Sequence, residues 1–227
     1  MTPPPAEREP TPDAEGLLSA LEQTASRLSP ALTAPQARAL IAYVLLLQRW
    51  NATYNLTSVR DPGQMLVQHL ADCLAVVGPL RRHAGGKPLR LLDVGSGAGL
   101  PGVVIATALA EVDVTCVDTV GKKAAFVRQA AAELRLPNLH AEHARVERLR
   151  AAPFDVVASR AFASLADFVS LTRGQLSPAG VWMAMKGKHP GDEMAALSAD
   201  IDVFHVEQLT VPGLDAERCL VWMRVRC

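Results

Sequence analysis

Apolar residues recur at helical spacing three times within the first eighty positions. Leu17, Leu18, Leu21, Ala25 and Leu28 form the first stripe, which Pro30 ends. Thr33 caps a second, whose stripe Leu40, Ile41, Val44 and Leu47 continues to about Trp50, with a polar loop over 51–60 behind it. Asp61 caps a third, with Pro62 at the first helical position and Gln64 three residues after the cap in a capping-box arrangement. Its buried stripe is Met65, Leu66, His69, Leu70, Cys73, Leu74 and Val77. Beyond Gly85, Gly86 and Pro88 the rhythm changes to short β-type runs: Leu89–Val94, Asp113–Asp118, Asn138–His143, Phe154–Ser159, Val181–Lys186, Val203–Val211 and Arg218–Arg226. The first five alternate with helices expected at 101–110, 121–134, 146–150 and 164–176, so they must pair in parallel through right-handed crossovers. The last two are joined by a short Pro212–Gly213 connection and should form a hairpin with one antiparallel member. The predicted class is α/β: a doubly wound, mostly parallel, seven-stranded Rossmann-like sheet. A flexible tail (1–12) and an N-terminal helical layer (13–84) precede the core (85–227), layer and core forming one structural unit.

Composition agrees with this pattern. A chain of 227 residues with 49% hydrophobic content can bury a full core. Residues 1–12 hold five prolines among charges, too little apolar surface to order themselves. Apolar runs fall short of the roughly 20 residues a membrane span needs, and no basic-then-apolar leader opens the chain, so a cytoplasmic location is expected. Cys73, Cys116, Cys219 and Cys227 show neither CxxC spacing nor a matching His pair, which speaks against zinc and a disulfide framework and for core or terminal thiols; no metal is expected. Net charge is zero, yet Glu7, Glu9, Asp13 and Glu15 against Arg8 leave about +3 for the remainder. Any contact with nucleic acid must be local.

The sharpest motif follows the first strand. Leu91-Leu92-Asp93-Val94 runs into Gly95-Ser96-Gly97-Ala98-Gly99-Leu100, and Pro101 opens a helix. Alternate glycines let the backbone turn sharply and approach a ligand. Gly97 to Gly102 also satisfies GxGxxG, the dinucleotide fingerprint. Asp93 just before the first glycine favours a ligand with a cationic methionyl portion over a pyrophosphate. Asp118, twenty-five residues on, suits ribose hydroxyls, which both S-adenosylmethionine and NAD carry. An NAD-dependent oxidoreductase therefore stays a rival, as does a cofactor-binding protein without turnover.

Six blocks in order resemble the RsmG (GidB) family of bacterial small-subunit ribosomal RNA guanine-N7 methyltransferases. They are Tyr54-Asn55-Leu56-Thr57 with the Asp61–Asp72 helix, Asp93 to Gly102, Gly121-Lys122-Lys123, Ala144-Arg145-Val146-Glu147, Ser159-Arg160-Ala161-Phe162-Ala163 and Met185-Lys186-Gly187. The resemblance implies a class I methyltransferase fold, S-adenosylmethionine as donor with S-adenosylhomocysteine as product, and 16S ribosomal RNA or the small ribosomal subunit as partner. It further implies cofactor contacts at Gly95, Leu100, Val146, Glu147 and Arg160, with Asp118 and Thr119 beside them. Asp93, Gly97 and Gly99 complete the expected donor site. A monomer is expected.

Guanine N7 has an in-plane lone pair and no proton, so its methylation needs alignment rather than a general base. The segment after the fourth strand, Ser159-Arg160-Ala161-Phe162, lacks both the Asn/Asp-Pro-Pro-aromatic signature of exocyclic-amine methylation and a nucleophilic cysteine. Positioning candidates on the RNA side are Asn55, His69, Arg160 and Lys186. His69 and Asp72 share a helix face and either roof the pocket or pack internally. Phe162 either stacks on the base or belongs to the core. Arg49, Arg60, Arg81, Arg82, Lys122 and Lys123 are candidates for a phosphate-contacting rim.

Overall fold

The computed structural model describes residues 14–28, 31–160, 162 and 164–226. The tail, Pro30, two alanines of the Ser159–Ala163 block and Cys227 lie outside the described residues. In chain order the elements are α1 (Ala14–Ala25), α2 (Ala34–Tyr54), α3 (Pro62–Met65), a π-helical stretch (Leu66–Ala71), α4 (Asp72–Leu74), α5 (Val77–Ala84), β1 (Leu89–Val94), α6 (Gly102–Ala108), β2 (Val112–Asp118), α7 (Gly121–Glu133), β3 (Leu139–His143), a 3₁₀ turn (Val146–Arg148), β4 (Phe154–Ser159), α8 (Leu165–Thr172), a second 3₁₀ turn (Arg173–Gln175), β5 (Leu176–Lys186), α9 (Gly191–Ala195), β6 (Ile201–Leu209) and β7 (Arg218–Val225).

The seven strands form one sheet in the order β3-β2-β1-β4-β5-β7-β6. β1 to β5 run parallel, and β7 pairs antiparallel with both β5 and β6. Side chains alternate across it: Leu91, Val114, Val156, Met183 and Leu220 face a core shared with the N-terminal helices, α6 and α7. Leu92, Val117, Val157, Trp182 and Val221 face a second core under α8. Chain order reverses between β1 and β4, which opens a crevice at their carboxyl ends.

Several elements differ from the pattern-based expectation: the helix expected at 146–150 is only a 3₁₀ turn, and the strand expected at Val203–Val211 is Ile201–Leu209. α2 runs to Tyr54 through part of the expected loop, because Trp50 and Tyr54 stack one turn apart (5.2 Å between centroids) and Asn55 ends the helix in left-handed geometry (φ 48°). The third helix carries a π turn, breaks at Ala75–Val76 and resumes as α5; of the expected capping box, Asp61 Oδ1 accepts the Gln64 amide at 2.7 Å. β5 begins at Leu176, since pairing with β4 resumes past a bulge at Phe154/Val156, and the preceding helix stops at Thr172. The β6–β7 link spans 210–217 rather than a tight turn, and its Val211 and Leu214 pack on Ala71 and Ala75. Cys73, Cys116 and Cys219 are buried free thiols.

The loop after β1 is held from several sides. The Gly95 amide donates to the Val117 carbonyl at 2.9 Å and the Ser159 hydroxyl to the Val94 carbonyl at 2.8 Å. From α2, the buried Tyr43 hydroxyl donates to the Ala98 carbonyl at 2.8 Å. Asp93 is fully buried; its Oδ2 accepts the Gly102 amide at the start of α6 at 2.8 Å, and its Oδ1 has no hydrogen-bond partner among the described residues. Burial, only partly offset by that amide, lifts its pKa to about 7. The folded protein therefore holds a proton that the unfolded chain releases above its ordinary value of 3.8. The contribution of this group to stability falls as pH rises from about 4 to about 7 and is flat above. Urea unfolding of the wild type and Asp93→Asn across this window should show the wild type losing stability relative to the variant as pH rises; a constant difference would refute the assignment.

Candidate active site

Three crevices follow one another along the carboxyl edge of the sheet. The first, about 370 Å³, is lined by Gly95, Asp118, Thr119, Val120, Val146 and Phe162 among others. The second, about 310 Å³, lies over the glycine loop, with Gly95, Ser96, Gly97 and Leu100 as its floor and Thr57, His69 and Arg160 above. Gly95 and Lys123 line both. The third, about 450 Å³, opens between Gln68, Asp72, Met185, Lys186 and Arg218. His69 and Arg160 line both the second and the third, so they form the passage between them.

Each wall has a local cause. Gly95 (φ 67°) and Gly97 (φ 59°) take left-handed backbone where a Cβ would be strained, and no atom stands within 4 Å of a Cβ built at Gly97. Gly99 (φ 86°) is left-handed as well and is also packed tightly: it is buried, and a Cβ there would meet Val103 at 2.6 Å. Asp118 ends β2; its Oδ2 accepts the Gly97 amide at 3.0 Å, its Oδ1 the Val120 amide at 2.9 Å, and Lys123 Nζ stands 3.8 Å away. A carboxylate has about four lone-pair sites, so two hydrogen bonds leave acceptor capacity for hydroxyl groups. Val146 and the exposed Glu147 sit on the 3₁₀ turn after β3. Phe162, which leans on Phe168 at 5.2 Å, and the half-exposed Leu171 line the same crevice. Its lining is mainly apolar, with Asp118, Thr119 and Glu147 among the polar residues.

Between the second and third crevices, His69 is buried on the π-helical stretch and shares a 2.9 Å hydrogen bond through Nε2 with Thr57 Oγ1. Burial, then the neighbouring Arg160, lowers its pKa, so it is neutral at pH 7. Asp72, 3% exposed, is the centre of an ion triad: its Oδ2 lies 3.2 Å from Arg160 Nη1 and its Oδ1 2.7 Å from Arg218 Nε. Arg160 also donates to the Gln68 carbonyl at 3.3 Å. Lys186 Nζ pairs with Glu193 at 2.7 Å and donates to the Phe162 carbonyl at 3.3 Å.

Of the residues singled out from sequence, Gly95, Gly97, Leu100, Asp118, Thr119, Val146, Glu147, Arg160, His69 and Lys186 line these crevices. Asp93 and Gly99 lie behind the loop and support it. Asn55 lines none of the three; it caps α2, and its Oδ1 accepts from Arg60 at 3.2 Å. Phe162 lines the first crevice rather than the third. Of the rim candidates, Arg49 pairs with Glu133 and Arg82 with Glu207. Sequence reasoning missed Arg218 and Asn51. Asn51 is buried and shapes the 55–60 loop by accepting the Thr57 amide at 2.9 Å and donating to the Val59 carbonyl at 3.2 Å. Arg218 had a readable signal: the first residue of an antiparallel strand lies at the edge where the parallel strands end.

Comparisons with known proteins agree with this architecture. Crystal structures of a 1,6-didemethyltoxoflavin-N1-methyltransferase from Burkholderia thailandensis (17% identity, TM-score 0.57, 88% of this chain and 94% of that one) and of TrmN from Thermus thermophilus (16%, 0.55, 94% and 80%) share the fold. Proteins called ribosomal RNA small subunit methyltransferase G are far closer in sequence. That of Leptothrix cholodnii is 64% identical over 215 residues, covering 95% of this chain and 97% of its own length. That of Methylibium petroleiphilum is 61% identical over 211 residues, covering 93% and 96%. The family profile described as rRNA small subunit methyltransferase G matches residues 36–221, which include every residue lining the three crevices. The chain belongs to the rRNA small subunit methyltransferase G (GidB) family.

Proposed function

We infer that the protein transfers the methyl group of S-adenosylmethionine to N7 of a guanine in 16S ribosomal RNA, acting in the cytoplasm on the small ribosomal subunit or its RNA. The observation that carries this reading, in a member of this family, is the run of three crevices joined at His69 and Arg160. The first suits adenosine: its mainly apolar lining takes the purine ring, and Asp118 faces the ribose hydroxyls. The second suits the methionyl portion, with the glycine-loop backbone beneath it. The third receives the acceptor base.

In the reaction the N7 lone pair attacks the methyl carbon, the carbon–sulfur bond breaks, and its electron pair stays on sulfur. The charge of the sulfonium passes to the purine and neutral S-adenosylhomocysteine remains. No proton moves at N7, so a neutral His69 and a Lys186 held by Glu193 need only shape the passage and position the base. Alignment of donor and acceptor is the catalytic contribution, worth about 7–11 kcal/mol in well-oriented intramolecular reactions.

The oxidoreductase alternative fits less well. A dinucleotide places its pyrophosphate at the helix N-terminus, and here the Asp93 carboxyl already takes the Gly102 amide. The Tyr43 hydroxyl is buried on the Ala98 carbonyl, and Tyr54 lines none of the three crevices.

The direct test is incubation with labelled S-adenosylmethionine and small subunits, or their naked RNA, from cells lacking the enzyme. Label is expected in 7-methylguanosine; label in another nucleoside would discard the N7 assignment, and none at all would favour a non-catalytic role. Calorimetric titration of Asp118→Ala should show donor affinity reduced about 10- to 100-fold, the scale of hydrogen bonds to a charged group, with the circular dichroism unchanged. Lys186→Ala should keep donor affinity within about twofold while slowing methylation of the RNA. Loss of donor binding with RNA binding intact would reverse the division of roles.

A further inference from the structure

The acceptor crevice presents an electrostatic difficulty. Two guanidinium groups, Arg160 and Arg218, line it, and Arg160 also lines the passage to the glycine-loop crevice. On the methyl-transfer reading, on which this inference rests, the donor brings a sulfonium cation to that passage and the product is a cationic purine. Unscreened guanidinium groups would oppose both. Two other cations near the path have acidic partners: Lys186 is matched by Glu193 at 2.7 Å and Lys123 by Asp118 at 3.8 Å. Among the described residues, Asp72 is the acid in ion-pair contact with both Arg160 and Arg218, and it meets them from a buried position with one carboxylate oxygen for each.

We propose that Asp72 is the positioning residue that sets the charge of the methyl-transfer passage: by holding Arg160 and Arg218 on its two oxygens it reduces their combined charge to a single positive unit and lets the cationic donor bind. The three groups come from distant parts of the chain. Asp72 opens α4, Arg160 follows β4 and Arg218 begins β7. The same contacts fix both arginines: Arg160 holds Asp72 and the Gln68 carbonyl through Nη1, and Arg218 holds Asp72 through Nε and the Glu217 carbonyl through Nη1, so each guanidinium keeps further donors uncommitted among these contacts. Arg160 and Arg218 can then meet acceptor oxygens of the base or its phosphate without approaching the sulfonium.

A purely structural role and this electrostatic one are separable, because S-adenosylmethionine is cationic at sulfur and S-adenosylhomocysteine is not. Binding of each should be measured by calorimetry at low ionic strength for the wild type, Asp72→Asn, Arg218→Gln and the double variant. Asp72→Asn raises the triad by one charge and should weaken S-adenosylmethionine relative to S-adenosylhomocysteine by about tenfold, the scale of a unit charge acting across part of a protein site. Arg218→Gln removes one positive charge and should move the ratio the opposite way. The double variant restores the net charge and should return the ratio to within about threefold of the wild type. Equal losses for both ligands in Asp72→Asn, or a shift of the same sign in Arg218→Gln, would overturn the proposal while leaving the donor assignment intact. Should Asp72→Asn fail to fold, the sign of the Arg218→Gln shift decides alone. Wild-type protein that binds neither ligand would overturn the donor assignment and this proposal together.

Discussion

Everything at the catalytic edge depends on how closely α6 returns to the end of β1. A Cβ on Gly102 would collide with the Cys116 sulfur and stand 3.0 Å from Asp93 Oδ2, so the helix start and two strands meet with no room to spare. The Asp93 carboxyl satisfies the Gly102 amide inside this contact. A helix end buried without such a partner would leave polar groups unpaired at a cost of about 1–3 kcal/mol each. With the helix fixed there, the loop between has no freedom except through glycine. Its left-handed residues turn the chain, and its Gly97 amide donates to Asp118.

The helical layer depends on the same loop. Tyr43 reaches from α2 to the Ala98 carbonyl and packs on Phe126 of α7 at 5.9 Å, tying the layer to the glycine loop and to the helix after β2. Its continuation, the π-helical stretch and α4, carries His69 and Asp72 over the gap between β4 and β5. Helices that in another doubly wound protein would only cover a sheet here supply one side of the passage. The layer is at once part of the hydrophobic core and the roof of the site, as its shared apolar cluster with the sheet shows.

Charge along the site is gathered into paired groups: Lys123 with Asp118, Lys186 with Glu193, and Arg160 and Arg218 sharing Asp72, a triad left with one positive charge. Ions removed from water are costly unless paired and hydrogen-bonded, which explains why these half-buried cations lie against acids. It also fits a reaction that moves a positive charge between two neighbouring crevices without moving a proton.

Much of this was legible in the residue pattern. Period-two runs and their alternation with helical runs determine a parallel sheet, because a crossover between parallel strands requires a helix-length connection. The glycine spacing determines where the backbone must turn, since left-handed conformation is written into residue type. Asp118, Val146, Glu147 and Arg160 follow strands, and in this topology strand ends share one edge. What only the tertiary structure decided were the directions and partners of side chains. Asp93 and Asp118 both end strands next to the loop, yet one faces inward to a helix terminus and the other outward to the crevice. Asn55 was expected at the site and instead caps α2, because left-handed geometry after Tyr54 turns it away. Arg218 and Asp72 stand 146 positions apart. Their contact follows from the antiparallel insertion of β7 between β5 and β6, a long-range pairing that no local pattern of residues encodes.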